Sequence, residues 1–191
     1  MKKLLLISLV AVLPHVANAQ NWKNDKSNTR IGFAATHLLI SEVHGSFNSF
    51  NMNLVSKKED FSDAQIDVSA EVASISTNNE IRDKNLKSSD FFDAEKFPQL
   101  LFKSESLTKI SGNKYTLKGE LTMHGVSRKV VLDVIFNGMA INSFNNLTMA
   151  GFKITGMIKR LDFKIGEGTP GVEVRDEIKL EIDVEFAMIK T

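Results

Sequence analysis

Apolar and polar residues alternate along most of the chain with a period of two. The last segment shows this most clearly, because its even positions are apolar and the residues between them are mostly charged: Ile178, Leu180, Ile182, Val184, Phe186 and Met188. Such alternation is typical of a β-strand with one buried face. About eight segments of this kind follow one another, separated by short turns. The pattern predicts an all-β protein.

Repeated strands with one apolar face must bury those faces together and leave no long exposed edge. A closed antiparallel barrel and a two-sheet sandwich both meet this requirement. A barrel of about eight strands can hold one small ligand. Small residues at inward positions, such as Ala35, Gly45, Gly119 and Gly156, would leave room beside larger side chains. They favour a barrel with a cavity over a filled core.

The parity of the apolar positions changes once within a strand pair. Val43, Gly45 and Phe47 are odd, whereas Phe50 and the apolar residues after it are even. A strand cannot change face without an irregularity, so we expect a bulge or bend near residues 48–49.

Residues 77–104 are the one long interruption in this series of strands. Thr77 and Glu80 have the spacing of a capping box, which predicts the start of a short helix. Pro98 ends the irregular stretch, because proline lacks a donor and disfavours helix before it. A strand is expected from Gln99. We therefore predict one helical insert in the barrel.

The first residues have the features of an export signal. Lys2 and Lys3 precede an apolar run over residues 4–13, and Ala17 and Ala19 have the small-x-small spacing of a cleavage site. We expect cleavage after Ala19, a periplasmic protein, and a single domain over residues 20–191. The apolar run is too short for a permanent membrane span, and no later segment is long enough.

Charge and cysteine content narrow the possible partners. Lys and Arg number 24 against 23 Asp and Glu, and this balance gives no reason to expect nucleic acid as a partner. The chain has no cysteine, so neither disulfides nor a lipidated cysteine is expected. Whether the protein is a monomer or a homodimer is left open.

The sequence contains few groups that could carry chemistry. It has no cysteine and no G-x-S-x-G motif. His37, His44 and His124 follow the predicted signal, but their spacing does not favour a metal site. No catalytic residue, metal or cofactor is therefore expected. Arg82 could anchor a polar ligand group, or it could form a local ion pair with Asp83 that holds the insert against the barrel, and both interpretations stay open.

Five blocks in order give the chain a specific resemblance. They are SEVHGSF at residues 41–47, IRDKNLKSSDFFDAEKFPQLLFKS at 81–104, GELTMHGV at 119–126, RLDF at 160–163 and VRDEI at 174–178. This text resembles the YceI-like polyisoprenoid-binding family, whose members are periplasmic lipocalin-like barrels. Two positions depart from the family pattern: Asn85 stands where His is frequent, and Lys164 where Gly is frequent.

The resemblance implies a non-catalytic carrier that encloses a long apolar lipid, such as a polyisoprenoid or an isoprenoid quinone. Combined with the inward positions of the strands and the aromatic step of the insert, it suggests eleven ligand-binding residues: Phe33, His37, Phe47, Arg82, Phe91, Phe92, Leu121, Leu132, Ile154, Leu180 and Val184. Two alternatives remain. One is an enzyme that uses His37 or His124 on an apolar substrate, and the other is a filled-core module that binds a protein through Phe91 and Phe92.

Overall fold

A computed structural model describes residues 19–189, and the predicted export signal therefore lies almost wholly outside the described residues. The described chain forms eleven strands and one α-helix. In order these are β1 (Gln20–Asn24), β2 (Arg30–His37), β3 (Ser41–Phe47), β4 (Phe50–Ser56), β5 (Gln65–Glu71), β6 (Ile75–Ser76), α1 (Glu80–Lys87), β7 (Gln99–Ser111), β8 (Lys114–Met123), β9 (Val126–Ile141), β10 (Thr148–Lys159) and β11 (Val174–Ile189).

The strands close into an antiparallel barrel. β4, β5, β7, β8, β9, β10 and β11 are hydrogen-bonded in that order, and β1 pairs with both β4 and β11 to complete the ring. β2 continues along β11 beside β1, and β3 and β6 pair beyond it. β2 thus continues the line of β1 in the barrel wall, β3 continues that of β4, and β6 continues that of β5. The predicted eight-stranded barrel with one helical insert is confirmed.

The bend expected from the parity change lies between β3 and β4. Phe47 ends one strand and Phe50 begins the next, and both rings are buried. The backbone N–H groups of Asn48 and Ser49 turn out of the ladder and donate to the Ser74 hydroxyl at 3.1 and 3.0 Å. The two residues of the bend allow both rings to point inward although their positions differ in parity.

The insert begins differently from the sequence prediction. Asn79, not Thr77, caps α1, and its side-chain oxygen accepts from the backbone N–H of Arg82 at 3.0 Å. The capping box predicted from Thr77 and Glu80 is therefore wrong. Thr77 is buried and binds the side chains of Arg82 and Asp83 instead. A threonine committed to these partners is not available as a cap.

One end of the barrel, which we call the floor, is filled by aromatic rings. The Phe61 ring, from the loop between β4 and β5, packs edge-on against Trp22, Phe136 and Phe152 at centroid distances of 5.2–5.3 Å. The Tyr115 hydroxyl donates to the Asp60 carbonyl at 2.7 Å and holds this loop against the wall. The floor is thus a closed, packed core.

The opposite end, which we call the mouth, is covered by irregular chain rather than by packed rings from the strands. Two segments lie across it: the insert, residues 77–98, and the mouth loop, residues 160–173. Among residues 19–189, no helix is both long and apolar enough to cross a bilayer.

Candidate functional site

An apolar chamber lies between the floor and the mouth. It has a cavity volume of about 150 Å³. Its wall is formed by inward side chains of the strands and closed at the mouth by Leu86, Phe91 and Phe92 from the insert. Alternation along each strand brings these residues together, as on β11, where Ile178, Leu180 and Ile182 all line the chamber. The interior of the barrel can therefore take an apolar group.

Larger side chains, two of them aromatic, occupy the space beside the inward glycines. The Phe33 ring lies over Gly45, its partner across the β2–β3 pair, and a Cβ added at Gly45 would collide with it. Phe102 covers Gly119 in the same way, and a Leu132 methyl group covers Gly156. The room that these glycines provide is taken by neighbouring side chains that lie along the wall. The cavity is the space left in the centre.

Eight of the eleven predicted binding residues line this chamber: Phe33, Phe47, Phe91, Phe92, Leu121, Leu132, Ile154 and Leu180. They come from six strands and the insert, and the closed barrel brings them together. Their contact with a ligand remains a prediction.

Val184 faces inward as predicted but lies below the chamber. It is 2% exposed and pairs across the sheet with Phe152, one of the floor rings. Inward and outward residues continue to alternate along β11 beyond the bottom of the cavity. The alternation therefore cannot show where along the strand the cavity ends. Val184 therefore belongs to the packed floor.

His37 and Arg82 do not line the chamber either. His37 is exposed at the end of β2. The Arg82 guanidinium donates to the Thr77 hydroxyl at 2.7 Å and to the Thr77 carbonyl at 3.1 Å. Arg82 thus has a structural role, as in the second interpretation, but it acts through Thr77 and not through an ion pair with Asp83.

Asp83 secures the same threonine. Its carboxylate accepts from the Thr77 backbone N–H at 2.8 Å and from the Thr77 hydroxyl. Partial burial alone would raise the pKa of Asp83, but the Thr77 hydrogen bonds, with a smaller contribution from Lys87, outweigh it and lower the pKa below its ordinary value. Asp83 and Arg82 together hold the first turn of α1 against Thr77, the residue that follows β6.

Arg160 is the polar side chain that lines the chamber, and the only one in the part of the chain that the structure describes. It is 4% exposed and stands at the mouth. Its guanidinium donates to five backbone carbonyls, those of Ile165, Gly166, Thr169, Val174 and Arg175. An arginine has five N–H groups, so all are used within the protein. Arg160 folds the mouth loop around itself.

The charge of Arg160 has no direct carboxylate partner among the described residues. Burial lowers the pKa of its guanidinium, and the nearby Asp176 carboxylate partly offsets this effect. Arginine stays charged throughout the physiological range. The sequence analysis did not select Arg160 as a binding residue, although the RLDF block contains it.

A polar cleft lies above the chamber, on the other side of the Phe91 ring. Phe91 lines both spaces, and the cleft is otherwise formed by polar or small residues of the insert and the mouth loop together with His124. The His124 ring packs against Phe97 at 4.7 Å and bonds the Phe163 carbonyl at 3.2 Å. Within the described residues, no group of three or more His, Cys, Asp or Glu side chains is placed to hold a metal.

A closed antiparallel barrel with an apolar chamber and one covered mouth defines the lipocalin-like class of barrels. The chain belongs to the YceI-like family, since the YceI-like domain matches residues 22–186. It is 33% identical over 172 residues to a UPF0312 protein of Staphylococcus aureus, and the match spans 88% of this chain and 98% of that protein.

Solved structures agree with this assignment. The YCEI protein of Campylobacter jejuni is 35% identical, with a TM-score of 0.73 over 82% of this chain and 90% of that one. A polyisoprenoid binding domain from Saccharophagus degradans, implicated in plant cell wall breakdown, superimposes with a TM-score of 0.67 over 88% of this chain and 98% of that one. Its sequence identity is 10%, so this second likeness concerns the fold.

Proposed function

We propose that the protein binds a long apolar lipid of the isoprenoid type, either a polyprenyl lipid or an isoprenoid quinone, and carries it in the periplasm without changing it. The observation that carries this proposal is the apolar chamber between floor and mouth. The polyisoprenoid binding domain that shares the fold supports the choice of lipid class. The export signal expected at residues 1–19 supports the location.

The energetics favour a chain-like ligand. Each buried methylene group contributes roughly 0.8 kcal/mol, so about ten of them offset much of the entropy lost on association without any polar anchor. An apolar wall makes contacts that have no preferred direction. Such a wall selects for length and flexibility of the lipid more than for a particular head group.

The chamber must widen to accept such a chain. Its 150 Å³ matches the size of cavities that hold one benzene ring, whereas pockets for larger ligands measure roughly 300–1,000 Å³. Two features allow widening. The Phe33 ring and the Leu132 side chain can leave the glycines that they cover, and the helix of the insert has no buried residue that would fix it to the barrel. Loading therefore involves movement of the wall and the insert.

Binding without catalysis is supported by the lining itself. Among the described residues, no acid, thiol or histidine side chain faces the chamber, and all the donors of Arg160 bond backbone carbonyls. His37 is exposed outside the chamber, and His124 is separated from it by the mouth segments.

Native mass spectrometry of the protein isolated from its own bacterium tests the proposal. We expect a bound lipid whose mass is lost on organic extraction, and fragmentation of the extract should show isoprene units. The same spectra should show a chain that begins at Gln20. A protein that carries no lipid, or a lipid without isoprene units, would contradict the proposal. Conversion of the lipid during incubation would favour the enzyme instead.

A further inference from the structure

The turn between β2 and β3 combines an unfavourable backbone with exposed apolar side chains. The Ile40 N–H donates to the His37 carbonyl at 3.2 Å, so Leu38 and Leu39 are the two central residues of the turn. Their φ values are 49° and 62°. Two left-handed central residues define a type I′ turn, which strongly prefers Asn-Gly or a similar pair. Two leucines are a poor choice for this backbone.

Among the other left-handed positions of the described chain, Asn78, Asp93 and Asn146 are residue types that tolerate this backbone, whereas the single residues Phe61 and Lys164 are not. His124 and Gly125 connect β8 and β9 with φ values of 50° and 71°, and Gly112 takes the left-handed position between β7 and β8. At the β2–β3 turn, by contrast, local preference and structure disagree. Such conflicts are expected at functional positions, where a side chain contributes something other than stability.

The side chains of this turn point into solvent. Leu38, Leu39 and Ile40 are 50%, 49% and 84% exposed, and Val172 on the adjoining mouth loop is 61% exposed. The two segments are joined, since the Leu38 N–H donates to the Glu173 carbonyl at 3.0 Å. We call Leu38, Leu39, Ile40 and Val172 the apolar tip.

The apolar tip continues the rim of the chamber. His37, at the base of the turn, pairs with Val174, and Val174 lines the chamber. Ala35, two residues before His37, lines it as well. The tip therefore stands beside the mouth, at the end of the barrel opposite the floor.

We propose that the apolar tip dips into the interface of a lipid bilayer and holds the mouth against the membrane while lipid enters or leaves. This rests on the proposed function for its purpose, but docking itself can be measured without any ligand. An apolar lipid has negligible solubility in water, so transfer directly from a membrane avoids exposing it.

The composition of the tip favours a bilayer over a protein partner. It consists of four aliphatic side chains, whereas a standard protein interface uses roughly 20–30 residues a side and depends on Trp, Tyr and Arg anchors. Insertion of a few aliphatic groups into the interfacial region needs only apolar area. The same comparison disfavours a second copy of the chain.

The charges around the tip indicate that docking does not depend on anionic lipids. Glu42 is paired with Lys179 and lies near His44, and Glu173 adjoins Val172. The basic residues of β11 beside the hairpin, Arg175 and Lys179, are each paired with a glutamate, so they do not form the free basic cluster that binds an anionic surface. Docking should therefore be weak, reversible and insensitive to salt.

Flotation of residues 20–191, which contain the whole described barrel, with phosphatidylcholine vesicles tests the proposal. In the test variant, Leu38→Asn and Leu39→Gly are combined, which gives the turn its preferred residue pair. We expect the vesicle-bound fraction to fall about tenfold or more, because two leucines contribute several buried methylene groups. The melting temperature should stay the same or rise. Loss of docking with a gain in stability excludes misfolding as the cause.

The matched control is Phe144→Asn. Phe144 is 98% exposed at the turn between β9 and β10, at the floor end, so this variant loses a larger apolar group far from the mouth. It should float like the wild type. The proposal is overturned if the double variant floats as well as the wild type, if the wild type does not float, or if flotation requires added phosphatidylglycerol and disappears in high salt. It is also overturned if the wild type is a dimer that the double variant abolishes. The lipid content of each sample, measured separately, tests the proposed function.

Discussion

Arg160 shows how a single residue can shape the mouth of the barrel. A buried charge is costly unless every polar atom around it is satisfied. Here five backbone carbonyls of the mouth loop and of β11 surround one guanidinium and accept from it, and the Gly166 carbonyl also accepts from the Thr169 N–H at 3.0 Å. The carbonyls accept all the N–H groups of the buried guanidinium, and the guanidinium in turn holds the loop in its folded conformation.

We predict that Arg160→Met lowers the free energy of unfolding by about 3 kcal/mol or more. The buried Ile165 carbonyl loses its donor, which costs about 1–3 kcal/mol, and four further carbonyls each lose a bond to a charged group. Arg160→Lys should fall between this variant and the wild type, because an ammonium has three donors and no planar fork. Urea unfolding measures the order. Equal stability of the methionine variant and the wild type would show that Arg160 does not organise the mouth loop.

Two individual residues show features that the sequence pattern could not predict. The strand pattern placed Leu180 and Val184 on the same inward face, and both do face inward. It could not tell that the cavity ends between them, because the depth of a barrel depends on the floor rings brought from other parts of the chain. Lys164 takes a left-handed φ of 58° where the family often has glycine. The mouth loop thus has a left-handed residue at this position although the residue is not glycine.

Among the elements, the insert is a cover attached at its two ends. Its last residues contact the barrel, since the Pro98 carbonyl accepts from the Val72 N–H at 2.9 Å and the Phe97 ring packs on His124. α1 has no buried residue, and the contacts that locate its start centre on Thr77. Leu86, Phe91 and Phe92 then close the chamber with apolar contacts alone. A segment held by few buried contacts opens more readily than the strands around it. Opening of the insert is therefore the expected route for a ligand.

We predict that acid releases this cover. The pKa of Asp83 is lowered in the folded state, so its stabilisation is complete above the ordinary value of about 3.9 and is lost as the pH falls through the lowered value. Loss of a bound fluorescent fatty acid from the wild type should accelerate below about pH 4.

Asp83→Asn supplies the comparison. It should release the probe quickly at neutral pH and gain little from acid, while its β-type circular dichroism stays unchanged. Glu42, Asp60 and Asp63, whose pKa values are also lowered, are intact in both proteins. If acid accelerates release equally in both, the pH dependence does not come from Asp83.

Most elements were predictable because their causes are local. Period-two patterns predicted the strands, and the parity change predicted the bend at residues 48–49. The cap of α1 was not predicted correctly, because Thr77 has hydrogen-bonding partners five and six residues away that compete with capping. A spacing rule recognises the residue types but not these competing partners.

The whole molecule is a barrel with two different ends. Aromatic rings fill the floor, whereas the mouth is covered by the insert and by a loop organised around Arg160. The strand pattern allowed a closed barrel or a two-sheet sandwich, and the family resemblance together with the small inward residues favoured the barrel. Which end is filled and which is covered depends on Phe61 and on the insert, and neither follows from the strand pattern. We propose that the space between the two ends receives a lipid chain.

Matched tryptophan substitutions can separate chamber, floor and outer surface. Leu180 lines the chamber, Val184 lies in the floor, and Met157 faces outward at 53% exposure. A ring added at Leu180 competes with the lipid for space, whereas a ring added at Val184 overpacks a filled core and costs about 1–3 kcal/mol or more. The same ring at Met157 should affect neither lipid nor stability.

The most direct measurement is the lipid extracted per protein from Leu180→Trp, Met157→Trp and the wild type, each with its thermal melt. The account predicts that Leu180→Trp retains much less lipid than the other two and melts close to the wild type. Full lipid content in Leu180→Trp would contradict it, because the lipid would then lie outside the chamber. A collapse of its melting temperature like that expected for Val184→Trp would contradict it as well, because the chamber would then be a packed core.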